Sequence, residues 1–297
     1  MKKLLASGCS WTDVNYNSPL EFLLDNERGG WPMWPELLGK ELGLEAINTG
    51  LSGKGNVYIA QSIIDNIIKY GNEVEMVAVL WTEVSRYDVY KETAIALYEQ
   101  LNYHNLQIRS RASNSPRKHE ASSEGCSYNN PFDWDIEDFR WNDVYNTWNN
   151  NTLRAMYTIA EMCAHRNIKC VFDQGVIFFW HRELAEIKSY IHADMFITEV
   201  DYMVMLETSM LYQRLMKDYG HLFIMPKAII DYKDTIGYLL HHCGKNRKDL
   251  QIYMPEHLND NDVVKNYNNL NAVDSHPNAA GQKFISERYL QCLKKYY

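Results

Sequence analysis

Short apolar runs alternate with stretches of helical period along this chain, and that alternation limits the folds open to it. The apolar run that opens with Leu4-Leu5-Ala6 is followed by a helical stretch over Trp34 to Gly43, with Pro35 in its first turn and Gly43 at its stop. Leu44 to Ile47 is a second short run, and Ile59, Ile63, Ile64, Ile67 and Ile68 then recur at helical spacing. Glu75 to Trp81, Ile168 to Asp173 and His221 to Met225 read as further strands. Leu153 to His165, His181 to Ile191, Asp201 to Asp218 and Asn278 to about Lys295 read as helices. Strand–helix order of this kind predicts a parallel sheet covered on both faces. The expected fold class is α/β: one three-layer α/β/α domain, flavodoxin-like, over residues 1–297, with about five strands.

Two stretches interrupt the alternation. Residues 103–150 are rich in Asn, Ser, Asp and Arg, and residues 240–272 are polar and rich in Asn and Asp. The first is too long for an ordinary connection and reads as an insertion, a lid or a partner-binding arm, and the second reads as a further insertion-like region. Trp134, Trp141 and Trp148 recur every seven residues in the first. Stacking onto the domain is the simpler reading, and a platform for a sugar or another flat ligand the alternative.

The net charge of −8 argues against a nucleic-acid backbone as partner. Six cysteines form no CxxC pair and match no zinc spacing, so they read as reduced, buried thiols. The chain opens like a signal peptide, but charge gives way to Gly8 within a few positions, where a signal needs about 7–15 apolar residues. The expectation is a soluble, cytoplasmic protein with no export signal and no membrane span.

Three stretches carry chemistry. In Leu4-Leu5-Ala6-Ser7-Gly8-Cys9-Ser10-Trp11-Thr12 a strand ends in a Gly that allows a sharp exit, which puts Ser10 at the carboxyl end of the sheet. Asn48-Thr49-Gly50-Leu51-Ser52-Gly53-Lys54-Gly55-Asn56 holds three glycines in six residues and leaves backbone N–H groups open to a ligand. It has neither the GxGxxG order nor the P-loop spacing. Asp274-Ser275-His276-Pro277-Asn278 sets a carboxylate two residues before a His at a helix start. That pattern suits a hydrolytic triad, in which the Asp fixes the imidazole tautomer and the free nitrogen takes a proton from Ser. An N-capping turn with an incidental His has the same residues.

Together these stretches resemble the SGNH (GDSL-type) serine hydrolases, in a Gly-Cys-Ser variant. Gly8 to Thr12 is similar to the first block, Asn48 to Gly53 to the second, and Asp274 to Gly281 to the fifth, in the family's order. The resemblance implies Ser10 as nucleophile, His276 as general base and then acid, and Asp274 as its orienting group. It also implies an oxyanion hole from the N–H groups of Ser10 and Gly53, where glycine leaves the approach open. The third block departs from the pattern. Leu80-Trp81-Thr82-Glu83-Val84-Ser85-Arg86 has Thr82 nearest the place of the family's Asn donor. Thr82, Ser85 or Arg86 takes over that role, or the site is slow or inactive. Asn56, Arg86 and Trp11 are candidates for substrate contact.

The resulting reading is an esterase acting on a small-molecule or carbohydrate ester, such as an O-acetyl group, with no cofactor and no metal. A weakly catalytic or inactive binding module on the same scaffold is the alternative, as is an acyltransferase using the same triad. His241-His242-Cys243 looks like a metal patch but lacks a third ligand at workable spacing. Cys9 beside Ser10 reads as packed inward.

Overall fold

The structure is a computed structural model and describes residues 1–16, 31–82, 86–90, 103–107, 141–175, 206–225, 235–242, 250–253 and 273–296. For 86–90, 103–107, 141–148, 241–242, 252–253, 273–275 and 296 it describes the backbone alone. His181 to Ile191, Trp134 and most of the two insertion-like stretches lie outside the described residues.

Among the described residues, four parallel strands form the central sheet: β1 (Lys3–Ser7), β2 (Glu45–Asn48), β3 (Val74–Trp81) and a fourth over Lys169–Gln174, in the order second, first, third, fourth. Ala6 pairs with Asn48 on one side and Ala78 on the other. The middles of the first, third and fourth strands are apolar at successive positions because both faces are covered, and successive side chains go to opposite faces. Leu5, Val77, Val79, Cys170 and Phe172 face one core. Leu4, Ala6, Met76, Ala78, Leu80 and Val171 face the other.

Helix α1 (Trp34–Leu42) leaves Pro35 in its first turn and stops at Gly43, whose φ of 68° is left-handed. Helix α2 (Asn56–Tyr70) buries Ile59, Ile63 and Ile67 on the first core. Helix α3 runs over Trp141–His165, so it begins inside the stretch read as an insertion. Its Asn-rich start has weak helix propensity, and propensity is a prior that tertiary context overrides.

Helix α4 covers Met210–Tyr219, shorter than the span read from sequence. Ser209 interrupts that span as N-cap, its hydroxyl accepting from the Tyr212 N–H. The strand expected at His221–Met225 is a single parallel bridge, Phe172 to Phe223, among the described residues. Pro226 follows and has no N–H to extend a ladder.

Among the described residues, two antiparallel pairs form sheets separate from the central one. Strands β4 (Arg86–Tyr90) and β5 (Tyr103–Gln107) pair with each other. Numbering the fourth sheet strand β6, β7 (Gln251–Tyr253) pairs with β8 (Val273–Pro277). Helix α5 is Ile236–His242, and α6 (Ala279–Tyr296) closes the chain.

Helix α6 is tied down at three levels. The Gln282 amide donates to the Trp11 carbonyl over 3.1 Å and accepts from the Trp34 N–H over 2.9 Å. Arg288 pairs with Asp173 on β6, and the Tyr289 hydroxyl donates to the Val79 carbonyl over 2.8 Å. Tyr289 also stacks on Trp34, centroids 4.6 Å apart. Burial pushes the Asp173 carboxyl above the usual carboxylate range, with Arg288 pulling the other way.

Candidate active site

The sheet order places a switch point between β1 and β3, where the chain winds one way to β2 and the other way to β3. Open α/β sheets bind ligands outside the carboxyl ends of the strands at such a point. Ser10 follows β1 and Thr82 follows β3.

Leaving β1, the chain turns at once, and the Thr12 N–H donates back to the Cys9 carbonyl over 2.8 Å. Gly8 is required by contact. A Cβ there would lie 2.2 Å from Thr12 Oγ1 and 3.1 Å from the Leu80 carbonyl oxygen. Cys9 is buried in the second core, as its packing role predicts. Ser10 sits at the top of the turn and is 8% exposed.

The glycine-rich loop is fastened to this turn. The Leu51 N–H donates to the Gly8 carbonyl over 3.1 Å. The Asn48 amide donates to the Thr12 carbonyl over 2.8 Å, and Thr12 Oγ1 accepts from the Trp34 indole over 3.1 Å. Gly50 packs on Thr12 so closely that a Cβ would fall 2.5 Å from the Thr12 Cβ. Asp13 is 3% exposed, and its two carboxylate oxygens accept from the N–H groups of Asn15 and Ser52, each over 2.8 Å. Buried carboxylates need such donors. Gly53, next in the loop, has a φ of 76°, and a Cβ there would meet nothing within 4 Å.

His276 arrives from the far end of the chain. The β7–β8 register passes from Gln251 opposite Pro277 to Ile252 opposite Asp274, so Ser275 and His276 fall in an irregularity of the ladder. Such bulges re-aim side chains. The segment expected only to lead into the last helix is thus a strand, because residues 251–253 supply a partner that local sequence does not reveal. Beyond it, the Asn278 side chain accepts from the Gly281 N–H over 3.0 Å and donates to the Gln251 carbonyl over 2.9 Å. Gly281 lies against the Leu250 carbonyl, which a Cβ would approach to 2.3 Å.

The result is a hydrogen bond of 2.7 Å between His276 Nε2 and Ser10 Oγ, across 266 positions of sequence. The Tyr16 ring stacks on the imidazole, centroids 3.8 Å apart and planes 20° from parallel. Asp274 lies two residues upstream in β8, and its side chain is outside the described residues, as is that of Arg86 in β4.

Thr82 is fully buried. Its N–H donates to Asn56 Oδ1 over 2.9 Å, and its carbonyl accepts from the Asn56 and Gln174 amides, each over 3.0 Å. Asn56 therefore acts like a strand neighbour to Thr82, with 1% of its surface exposed. Trp11, 4% exposed, belongs to the second core. Both the Asn56 and the Trp11 side chains are buried in this structure. The Thr82 Oγ1 is likewise buried, without a hydrogen-bond partner among the described residues.

Sequence reasoning passed over Asp13, Tyr16 and Gln282. A Gln on the apolar side of the closing helix is a legible signal, since a buried amide must have partners. Tyr16 carried no such signal.

No family model matches the chain, and no curated protein matches it. Among solved structures, one similar chain is described as a lipolytic protein of the G-D-S-L family from Desulfitobacterium hafniense DCB-2. It has 10% identity and a TM-score of 0.39 over 98% of this chain and 99% of that one. Another is an alpha/beta hydrolase enzyme from the metagenome of Lake Arreo, Spain, with 14% identity and a TM-score of 0.40 over 99% and 95%. Likeness at this level carries no argument about this chain. No helix among the described residues is long and apolar enough to cross a membrane.

Proposed function

We propose that this protein is a serine hydrolase that cleaves an ester through Ser10 and His276. The observation that carries the reading is the 2.7 Å contact of Ser10 Oγ with His276 Nε2 at the carboxyl end of the sheet. At that distance the imidazole takes the hydroxyl proton as Oγ attacks the ester carbonyl. The carbonyl oxygen gains the electron pair and is met by the N–H groups of Ser10 and Gly53. Collapse expels the alkoxide, which receives the proton from His276, and water repeats the sequence on the acyl-enzyme. Asp274 orients the imidazole in this reading. Thr82 is given no part, and an acetyl ester of a carbohydrate remains the proposed substrate class.

A binding module with little turnover is the second reading, and the closed position of Thr82 favours it, because one oxyanion donor fewer costs roughly 100–1000-fold in rate.

The test is labelling with a fluorophosphonate, peptide mapping, and hydrolysis of p-nitrophenyl acetate. Modification of Ser10, with loss of labelling and turnover in Ser10→Ala at unchanged fold, is the expected result. A folded wild-type protein that stays unlabelled at Ser10 would sink the hydrolase reading and leave the binding module.

A further inference from the structure

Tyr16 lies outside every motif discussed above, yet its ring covers one face of His276. The centroids are 3.8 Å apart and the planes 20° from parallel. Both residues are half-buried. The backbone of Tyr16 is anchored to the turn. The Tyr16 N–H donates to the Asp13 carbonyl over 3.2 Å, and Asp13 is itself fixed by the N–H groups of Asn15 and Ser52. One short segment after Ser10 thus holds the glycine loop on one side and the Tyr16 ring on the other.

We infer that Tyr16 is a positioning residue for His276, fixing the plane of the imidazole toward Ser10 and stabilising its cationic form. The inference rests on the serine hydrolase reading. When Ser10 Oγ bonds to the ester carbon, its proton passes to His276 Nε2, and the imidazole carries a positive charge until that proton leaves with the alkoxide. The face of an aromatic ring is electron-rich, and a cation within about 6 Å of its centroid is attracted to it. Tyr16 meets this distance before the charge forms, so no rearrangement is needed at the moment of proton transfer. The stack also blocks rotation of the imidazole away from Ser10.

The experiment replaces Tyr16 by Phe and then by phenylalanines carrying one, two and three fluorines, which keep the ring's size while withdrawing density from its face. Thermal unfolding checks the fold of each variant. The readouts are the rate of Ser10 labelling by a fluorophosphonate and kcat and KM for p-nitrophenyl acetate. Relative to Tyr16→Phe, the labelling rate and kcat should fall stepwise with fluorination, by roughly 2- to 30-fold over the series, with KM unchanged. A purely structural ring would give a flat series. If wild-type Ser10 is labelled and the series is flat, the role of Tyr16 is overturned while the hydrolase reading stands. If wild-type Ser10 is not labelled at all, the hydrolase reading fails and this inference falls with it.

Discussion

The side-chain amide of Gln282 donates to the carbonyl of Trp11, the residue that follows Ser10, although 271 positions separate the two. The same amide accepts from the N–H of Trp34 at the start of α1. Gln282 lies six residues after His276 on the helix that His276 leads into. One buried amide therefore ties both ends of the chain at the place where Ser10 and His276 meet.

Replacing Gln282 by Leu strands the Trp11 carbonyl and the Trp34 N–H in the core. Each stranded group costs about 1–3 kcal/mol, so denaturant unfolding should show a loss of that order. Labelling of Ser10 should slow in the same variant under conditions where it stays folded, because the two halves of the site lose their shared anchor. An unchanged labelling rate would show that Arg288 and Tyr289 hold the helix sufficiently without it.

Thr82→Val swaps a buried hydroxyl without a partner among the described residues for a methyl of similar volume. Stability should hold or rise by up to about 1 kcal/mol, and turnover should stay within about two-fold, since the proposed oxyanion donors are the N–H groups of Ser10 and Gly53. A fall of about 100-fold or more in kcat would instead make Thr82 the third donor.

Two glycines of the loop should fail for different reasons. Gly53→Ala meets open space, so its cost is the left-handed backbone alone, about 1–2 kcal/mol. Gly50→Ala drives a methyl into Thr12 and must displace the loop from the Ser10 turn. Denaturant unfolding should rank Gly50→Ala as the more destabilised. Its labelling rate should fall as well, because Ser52 and Gly53 move with the loop.

Glu36 gives a pH dependence. One carboxylate oxygen accepts from Asn48 over 3.2 Å, and the other is buried without a partner among the described residues. Burial raises its pKa above the ordinary 4.5, outweighing the hydrogen bonds that oppose it. A carboxyl with a raised folded pKa holds its proton more tightly folded than unfolded, so its contribution to stability falls as pH rises from the unfolded pKa through the folded one. Glu36→Gln should therefore melt higher than wild type at pH 7. The two should converge as pH drops below 4.5. A Tm difference that does not depend on pH would show that the charge of Glu36 is not what matters.

Much of the scaffold was legible because it follows from local chemistry. Leu4 to Ala6, Met76 to Trp81 and Cys170 to Phe172 are apolar at successive positions, as strands buried on both faces require. Gly43 ends α1, and Asn278 starts the last helix, through hydrogen bonds within a few residues of sequence. Gly8, Gly50 and Gly281 stood out as glycines, but the atoms that exclude a side chain there belong to other segments. Where local signals competed, they misled. Ser209 is polar enough to pass for the exposed face of a helix, yet it caps one.

By itself, the sequence determined a parallel α/β sheet and where along the chain the reactive groups stand, because period and apolarity are properties of neighbouring residues. Tertiary structure alone decided that Ser10 and His276 touch, that the His segment is a strand with a bulge, and that Tyr16 lies on the imidazole. Each of these depends on pairing between segments far apart in the chain, such as β7 with β8 or Gln282 with Trp11. Nothing in the local spacing of residues encodes which distant partner will satisfy a given hydrogen bond.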